Sequence, residues 1–291
     1  MMKEIPLPFN PTEFDPNDLS GHKTLKLIEA NSQYIREMAG SREWVAAIVI
    51  PALNEERRLP LCLASVNEAL ARIPDIPTQV LLVDNGSTDA TSQIAEAFGA
   101  RVIFESEKGI GRARQKGLLS LDKRVKHVVT TDADVIVDPE MVGFHIGALS
   151  QAGVVGSYGR VYDRFEGEID PLDRVLLYLF QIIGDKVHDY KRLRKGIILS
   201  IGNNSAYSRE AALRVGGYES RYSSEDLEIM LKLKSEGEIK FVPDAIVYPS
   251  ARRFTTSKNL RRHILDRLVF NLKTRFSAQI ELSDVNRPDY R

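Results

Sequence analysis

The sequence predicts an α/β fold in which one mostly parallel sheet carries helices on both sides. Two observations carry this prediction. Short apolar runs that indicate buried strands alternate with amphipathic stretches of helical length, as in βαβ units. The chain of 291 residues is also long enough for one large α/β domain or two small ones, and its composition does not change near the middle. We therefore expect both halves of the chain to share one sheet.

The hydrophobic pattern predicts each element in turn. Helical spacing begins over 24–38. Strands are then expected at 45–50, 79–84, 101–105, 127–132 and 154–161, and helices between them at 59–73, 88–98 and 111–121. The later chain predicts a long helix at 171–190, extended chain at 197–202 and 205–208, and helices at 209–215, 224–235 and 259–276. We assign 1–43 to an N-terminal arm and helix, 44–255 to the main domain, and 256–291 to a basic amphipathic helix and tail.

Bulk composition excludes several classes of protein. Forty basic and forty acidic side chains cancel, which argues against a nucleic-acid binder that relies on overall charge. Cys62 is the single cysteine, so an intramolecular disulfide framework or a Cys-rich metal site is excluded. The first residues lack the apolar core of a secretory signal, and no apolar run has the length of a membrane span. A cytoplasmic location is the resulting expectation.

The most informative stretch is the D-x-D formed by Asp132 and Asp134 at the end of a predicted strand. In open α/β sheets, ligands bind at the carboxyl ends of the strands. Because the chain turns there, both carboxylates can converge on one divalent cation, Mg²⁺ or Mn²⁺, and leave coordination positions for phosphate oxygens. An EF-hand is excluded by Ile136 and Val137 at the positions that need Asp or Asn and then Gly. Asp138, before Pro139, is expected to cap the next helix.

Three further motifs follow predicted strands, and others come later in the chain. The first three are Pro51-Ala52-Leu53-Asn54-Glu55, Asp84-Asn85-Gly86-Ser87 and Lys108-Gly109-Ile110-Gly111-Arg112-Ala113-Arg114. The later ones are Gly202-Asn203-Asn204-Ser205-Ala206 and Glu225-Asp226. Together with Asp132-Ala133-Asp134, this order resembles the family 2 glycosyltransferases of the GT-A fold, from about residue 45 to residue 254.

The resemblance implies transfer of a sugar from a nucleotide diphosphate to an acceptor hydroxyl, in a setting such as cell-envelope polysaccharide synthesis. It implies an inverting reaction with Asp226 as general base beside Glu225, while a retaining outcome stays open because related retaining enzymes share the first half of these motifs. UDP is favoured over GDP. Asp134 is expected as the direct metal ligand, with Asp132 on the metal, the ribose or a metal-bound water. The implied nucleotide-sugar site comprises Pro51, Ala52, Asn54, Glu55, Asp84, Asn85, Lys108, Arg112, Arg114, Asp132, Ala133, Arg252 and Arg253, and the implied acceptor side comprises Gly202, Asn203 and Asn204.

Structural roles compete with several of these assignments. Glu225 and Asp226 also suit the first turn of a helix, and Asn85 replaces a second Asp of the family, although an amide can still read a pyrimidine edge. Arg114 stands where a dinucleotide-binding fingerprint needs its third glycine. A nucleotidyltransferase would need a glycine-rich loop after the first strand, which is missing, whereas an inactive nucleotide-binding scaffold stays open.

The C-terminal stretch carries eight basic residues and one acid over 252–275, with apolar residues at helical spacing. Two interpretations stay open. The segment docks on the main domain with its basic side in water, or 252–276 lies on an anionic membrane surface. The second interpretation suits a lipid-linked acceptor. The acceptor is expected to be either a sugar or a lipid-linked molecule.

Overall fold

The computed structural model describes residues 7–41, 43–164, 170–195, 198, 202–219 and 225–252. The predicted helix at 259–276, Arg253 and most of 197–202 therefore lie outside the described residues. The strands of the described part are β1 Ala46–Ala52, β2 Thr78–Asp84, β3 Arg101–Phe104, β4 His127–Thr130, β5 Val135–Val137, β6 Val154–Val161, β7 Ser205–Ser208 and β8 Glu238–Pro249. The helices are α1 His22–Ala30, α2 Gln33–Ala39, α3 Leu59–Ala71, α4 Thr91–Phe98, α5 Ile110–Ser120, α6 Met141–Leu149, α7 Pro171–Lys195, α8 Arg209–Arg214 and α9 Glu225–Leu233.

These strands form one sheet in the order β3-β2-β1-β4-β7-β6-β8-β5. The pairs β1–β2, β2–β3, β1–β4 and β6–β8 are parallel, whereas β7 runs antiparallel to β4 and β6, and β5 antiparallel to β8. The chain adds β2 and β3 on one side of β1 and then β4 on the other. This reversal opens a crevice at the carboxyl ends of β1 and β4, where open α/β sheets bind ligands.

Strand β1 is buried on both faces, as expected for the centre of a parallel sheet. Ile48 and Ile50 point into a hydrophobic cluster that includes residues of α3, α4 and α6. Ala47 and Val49 point into a second cluster built with α5, α8 and α9. The helices of the N-terminal segment join the first cluster through buried apolar residues of α1 and α2. The sheet thus holds the two halves of the described chain in one core.

The single helix expected over 24–38 is wrong, because the chain breaks into α1 and α2. The Asn31 side chain donates to the Leu27 carbonyl at 2.8 Å and so helps to end α1. The Asn67 side chain, on α3, then accepts a hydrogen bond from the Tyr34 amide at 2.8 Å and satisfies the start of α2. The break therefore depends on a residue more than thirty positions away in the chain.

Two strands, β5 and β8, were not predicted. Pro243 argues against a strand in the sequence of β8 because proline cannot donate to a ladder. Pro243 lies between Phe241 and Ile246, where the pairing of β8 with β6 shifts register. A ladder hydrogen bond from residue 243 is therefore not needed. Asp138 also differs from expectation, since α6 begins at Met141. Its carboxylate instead accepts from the Glu140 amide at 3.1 Å, in the turn before the helix.

Candidate active site

A cleft of about 260 Å³ opens at the carboxyl ends of β1, β2 and β4. It lies at the point where the strand order reverses, so four of the predicted motifs converge there. The residues that line it are Pro51, Ala52, Leu53, Glu55, Asn85, Ile110, Ala113, Asp132, Ala133, Asp134 and Arg252. Of these, Leu53, Ile110 and Ala113 had not been identified as site residues. They are apolar side chains without any polar signature in the sequence.

The loop after β1 is held in shape by the loop after β2. Asn54 has a left-handed backbone conformation with φ of 56°, which asparagine tolerates better than most residues. Its Oδ1 accepts a hydrogen bond from the Thr88 backbone amide at 2.8 Å, and its own backbone amide donates to Ser87 Oγ at 3.0 Å. Asn54 is exposed and outside the cleft lining. It therefore shapes the wall that Pro51 and Ala52 present to the cleft.

Arg252 connects the first loop to the D-x-D. Its guanidinium binds both carboxylate oxygens of Glu55, with Nη1–Oε2 at 2.6 Å and Nη2–Oε1 at 2.5 Å. The same Nη2 lies 3.5 Å from Asp134 Oδ2. Such bidentate, charge-assisted pairs have strong orientation preferences. A nucleotide sugar that binds Glu55, as the resemblance implies, would have to share this carboxylate with Arg252.

Asp84 and Asn85, which the resemblance assigns to the nucleotide-sugar site, are both engaged in local hydrogen bonds. Asp84 accepts from the Ser87 amide at 2.8 Å and from Ser92 Oγ at 2.5 Å. Although burial raises the pKa of Asp84, the hydrogen bonds from Ser92 and Ser87 lower it overall. Asp84 is absent from the residues that line the cleft. It organises the loop between β2 and α4.

The Asn85 side chain lines the cleft, but its amide holds the loop before α5. Its Nδ2 donates to the carbonyls of Glu105 at 3.1 Å and Glu107 at 2.7 Å, and its Oδ1 accepts from the Gly109 amide at 2.8 Å. The expected reading of a base edge by this amide therefore needs correction, because both ends of the group are occupied by backbone. A carboxylate here would face two carbonyl oxygens, which gives a physical reason for asparagine in place of aspartate.

The three cations around α5 have different environments. Lys108 is exposed, and Arg112 pairs with Glu107 on the outer surface, where the two side chains are 42% and 62% exposed. Neither belongs to the cleft lining, so the contact of Lys108 and Arg112 with the nucleotide sugar stays a prediction from the resemblance. The helical rotation from Arg112 to Arg114 directs the second arginine inward instead. Only Arg114 of this motif's cations therefore reaches the interior.

Arg114 is a buried cation, 2% exposed, that joins the two acidic motifs. Its Nη2 lies 2.7 Å from Asp132 Oδ1, and its Nη1 forms an ion pair with Glu225 Oε1. Gly202 packs directly against the guanidinium, since a Cβ on Gly202 would lie 2.2 Å from Nη1. Arg114 therefore lies behind the cleft surface and links the D-x-D to the start of α9.

Glu225 and Asp226 lie behind this arginine rather than in the cleft lining. Burial raises the pKa of Glu225 to about 7, although Arg114 lowers it, and the neighbouring Asp226 raises it further. Burial also raises the pKa of Asp226, against Arg114 and a hydrogen bond from the Gly202 backbone. One guanidinium thus faces three carboxylates, counting Asp132, and the excess negative charge favours a retained proton. A carboxylate with a raised pKa is suited to accept a proton near neutral pH.

The expected acceptor-side residues have distinct positions. The Gly202 carbonyl accepts from Thr130 Oγ1 at 2.8 Å, which fixes the backbone that contacts Arg114 and Asp226. Asn203 is buried, and its Oδ1 has no hydrogen-bond partner among the described residues.

Asn204 is structural, which corrects its assignment to the acceptor. Its Nδ2 donates to the carbonyls of Arg160 at 2.7 Å and Ala245 at 2.9 Å, so its Oδ1 must accept from His145 Nε2 at 2.8 Å. His145 then accepts from Ser157 Oγ at its Nδ1, at 2.8 Å. Burial lowers the pKa of His145 to about 4, so this imidazole is neutral near pH 7. The network joins α6 to β6, to β8 and to the residue that precedes β7, and it leaves Asn204 no free amide group.

The D-x-D has donor chemistry that fits a divalent cation. The Asp132 and Asp134 side chains line one cleft and retain 29% and 19% exposure. Glu55 lines the same cleft, so three carboxylates converge there. The described residues contain no group of three or more His, Cys, Asp or Glu side chains with the geometry to hold a metal ion. Two oxygen ligands would leave positions on Mg²⁺ or Mn²⁺ for phosphate.

Comparison with known proteins agrees with this arrangement. The model of the family described as Glycosyl transferase family 2 matches residues 47–216. Dolichyl-phosphate hexose transferase of Haloferax volcanii is 41% identical over 88 residues, which cover 30% of this chain and 36% of that protein. Glucosyl-3-phosphoglycerate synthase of Petrotoga mobilis is 28% identical over 127 residues, which cover 40% and 38%. The chain thus spans well under half the length of these curated relatives.

A solved structure extends the likeness to most of the fold. Glucosyl-3-phosphoglycerate synthase from Mycobacterium tuberculosis, in complex with Mn²⁺, uridine diphosphate and phosphoglyceric acid, superposes with a TM-score of 0.53. The match covers 88% of this chain and 84% of that chain at 20% sequence identity. At this identity the likeness concerns the fold, and it confirms the expected α/β sheet of GT-A type.

Proposed function

The chain belongs to glycosyl transferase family 2, and from that premise we propose that it transfers a sugar from a nucleotide diphosphate, UDP in the first instance, to an acceptor hydroxyl. The observation that carries this proposal is the convergence of Glu55, Asp132 and Asp134 in one cleft at the switch point of the sheet. Solved relatives of the same fold hold Mn²⁺ or Mg²⁺ together with UDP, which supports both the donor class and the cation.

Each proposed role follows from the position of the residue. We propose that Pro51, Ala52 and Glu55, which line the cleft, contact the nucleoside, and that Arg252 contacts the diphosphate once it exchanges Glu55 for phosphate oxygens. Asp134 and Asp132 would hold the cation, which when bound supplies positive charge to the leaving diphosphate. Arg114 orients Asp132 from behind and keeps it connected to Glu225.

The chemical step we propose is an inverting displacement. The acceptor oxygen forms a bond to the anomeric carbon while the bond from that carbon to the diphosphate oxygen breaks. Asp226 accepts the hydroxyl proton, a role supported by its raised pKa, and the acceptor must come within hydrogen-bond reach of it, because Asp226 lies outside the cleft lining. Glu225 stays paired with Arg114 and fixes the start of α9. The acceptor is proposed as a sugar or a lipid-linked molecule, and the name of the Haloferax relative supports the lipid-linked class.

A thermal-shift screen tests the donor site first. UDP, GDP, CDP and dTDP are added with and without manganese, and the melting temperature is compared. A ligand at about a hundred times its Kd stabilises the native state by about 2.7 kcal/mol. We expect UDP with manganese to give the largest shift, followed by release of UDP from a UDP-sugar when acceptor is supplied.

Asp134→Asn supplies the matched test of the cation site. It should abolish the effect of manganese on UDP binding, because an amide is a weaker ligand than a carboxylate for a hard cation. Asp138→Asn is the control, since that side chain accepts a hydrogen bond outside the cleft and its amide keeps an acceptor. Equal manganese enhancement in both variants would contradict the assignment. Binding of UDP without turnover of any donor would favour a nucleotide-binding scaffold.

Contact with a membrane through 252–276, and a cytoplasmic location with peripheral contact at the inner face of the membrane, stay predictions from the sequence. Arg252 is the only residue of this segment in the described part of the chain, and it lies in the cleft. Across the described residues, no helix has both the length and the apolarity that a membrane span requires.

A further inference from the structure

Helix α7 carries an apolar stripe on its solvent side. Six of its large apolar side chains are exposed by 36% to 71%, and they make up half of the large hydrophobic side chains that are exposed in the described chain. At 100° per residue, these six positions fall within an arc of about 100°. They are Val175, Leu179, Ile182, Ile183, Tyr190 and Leu193. Scattered exposed apolar residues are ordinary, whereas a continuous stripe indicates an interaction surface.

The charges of α7 are sorted between its inner and outer sides. Asp185 lies 3.1 Å from the Arg160 guanidinium, and Asp189 pairs with Arg160 at 3.5 Å and with Arg192 at 3.1 Å. These acids are thus directed toward β6 and are neutralised there. Lys186 and Arg194 are the exposed charged residues of the helix among those whose side chains are described. The outer side therefore combines apolar surface with positive charge.

We propose that α7 is a membrane-docking helix that lies along an anionic phospholipid surface. The stripe enters the headgroup region, and the cations Lys186 and Arg194 meet lipid phosphates. The charge pattern selects this occupant over a second copy of the chain. In a symmetric dimer through the same face, Lys186 and Arg194 would find no exposed acid among the α7 side chains that the structure describes. The helix lies on the membrane and does not cross it, in accord with its limited apolarity.

The docking surface is connected to the cleft through β6. Just beyond this strand, the Arg164 amide donates to the Pro249 carbonyl, and the Ala251 amide donates back to the Arg164 carbonyl, both at 2.8 Å. Arg252 of the cleft follows directly. Docking of α7 would therefore bring the Arg252 side of the cleft toward lipid, which suits a lipid-linked acceptor. That consequence rests on the proposed function, whereas the docking itself is measured without any sugar or nucleotide.

Vesicle co-sedimentation of the full chain tests the proposal. Vesicles of phosphatidylcholine alone are compared with vesicles that also contain phosphatidylglycerol. We expect binding to the anionic vesicles, and a loss of more than about tenfold in the bound-to-free ratio for Ile183→Glu with Leu193→Glu. The matched control is Leu119→Glu with Leu213→Glu, which adds the same charge at exposed apolar positions of α5 and α8. The control should bind as the unmodified chain does.

Charge reversal by Lys186→Glu with Arg194→Glu leaves the stripe intact and gives a second test. It should weaken binding to anionic vesicles and reduce its dependence on salt. Melting temperatures of all variants verify that they are folded. The proposal is overturned if the unmodified chain does not bind anionic vesicles. It is also overturned if the stripe variant still binds, which would assign binding to 252–276, or if the stripe variant instead converts a dimer to a monomer in sedimentation velocity.

Discussion

Replacement of Arg114 by methionine tests the buried link between the D-x-D and α9. The Arg114 and Glu225 side chains are 2% and 5% exposed, so this ion pair is almost completely removed from water. Removal of one partner from a buried pair costs about 3–5 kcal/mol, because the other charge stays buried without compensation. We expect Arg114→Met to lower the free energy of unfolding by about this amount at pH 8.

The matched control lies two residues earlier on the same helix. Arg112 pairs with Glu107 at the surface, where such pairs contribute less than about 1 kcal/mol. Arg112→Met should therefore change the free energy of unfolding by no more than that. Urea denaturation of the two variants and the unmodified chain gives the comparison directly. Equal, small losses in both variants would refute the argument that Arg114 neutralises the acidic cluster.

The pH dependence of the loss in free energy of unfolding caused by Arg114→Met identifies the cause of that loss. The pKa of Glu225 is already raised to about 7, chiefly by burial, and removal of Arg114, which lowers it, should raise it further. At pH 5.5 the Glu225 carboxyl is then protonated in both proteins and carries no uncompensated charge. The deficit of Arg114→Met should accordingly shrink below pH 7 and grow as the pH rises toward 8. The double variant Arg114→Met with Glu225→Gln should recover part of the loss at pH 8.

Two further outcomes concern the surroundings of the site. The folded-state pKa of His145 is lowered from 6.5 to about 4, so its contribution to stability is complete above pH 6.5 and is lost as the pH falls toward 4. In urea denaturation, the free energy of unfolding should fall over this pH range by about 3 kcal/mol more in the unmodified chain than in His145→Gln. The same dependence of this free energy on pH in both proteins would contradict the prediction. Gly202→Ala should cost about 1–3 kcal/mol, because its Cβ would lie 2.2 Å from a guanidinium nitrogen of Arg114. Gly147→Ala, with open space around its Cβ, should be neutral or stabilising, and equal melting temperatures for the two alanine variants would argue against a rigid Arg114.

Much of the fold follows from local pattern. The alternation of strands and helices from Ala46 to Ser120, and the position of the D-x-D after β4, agree closely with the sequence predictions. Periodicity within a segment determines which face is apolar, and that information is local. The family model and the solved relative confirm the fold and the family that these motifs indicated.

The sequence by itself determined the order of the elements and the edge of the sheet that carries Glu55, Asp132 and Asp134. Only the tertiary structure decided what each polar side chain does there. It engaged the Asn85 amide with backbone and turned Arg114, but not Arg112, toward the interior. These outcomes depend on partners that are distant in the chain, and a residue's own neighbours in sequence do not specify which distant acid or carbonyl will face it. Burial then sets the charge state of those groups, because the free energy of desolvation exists only once the chain has folded around them.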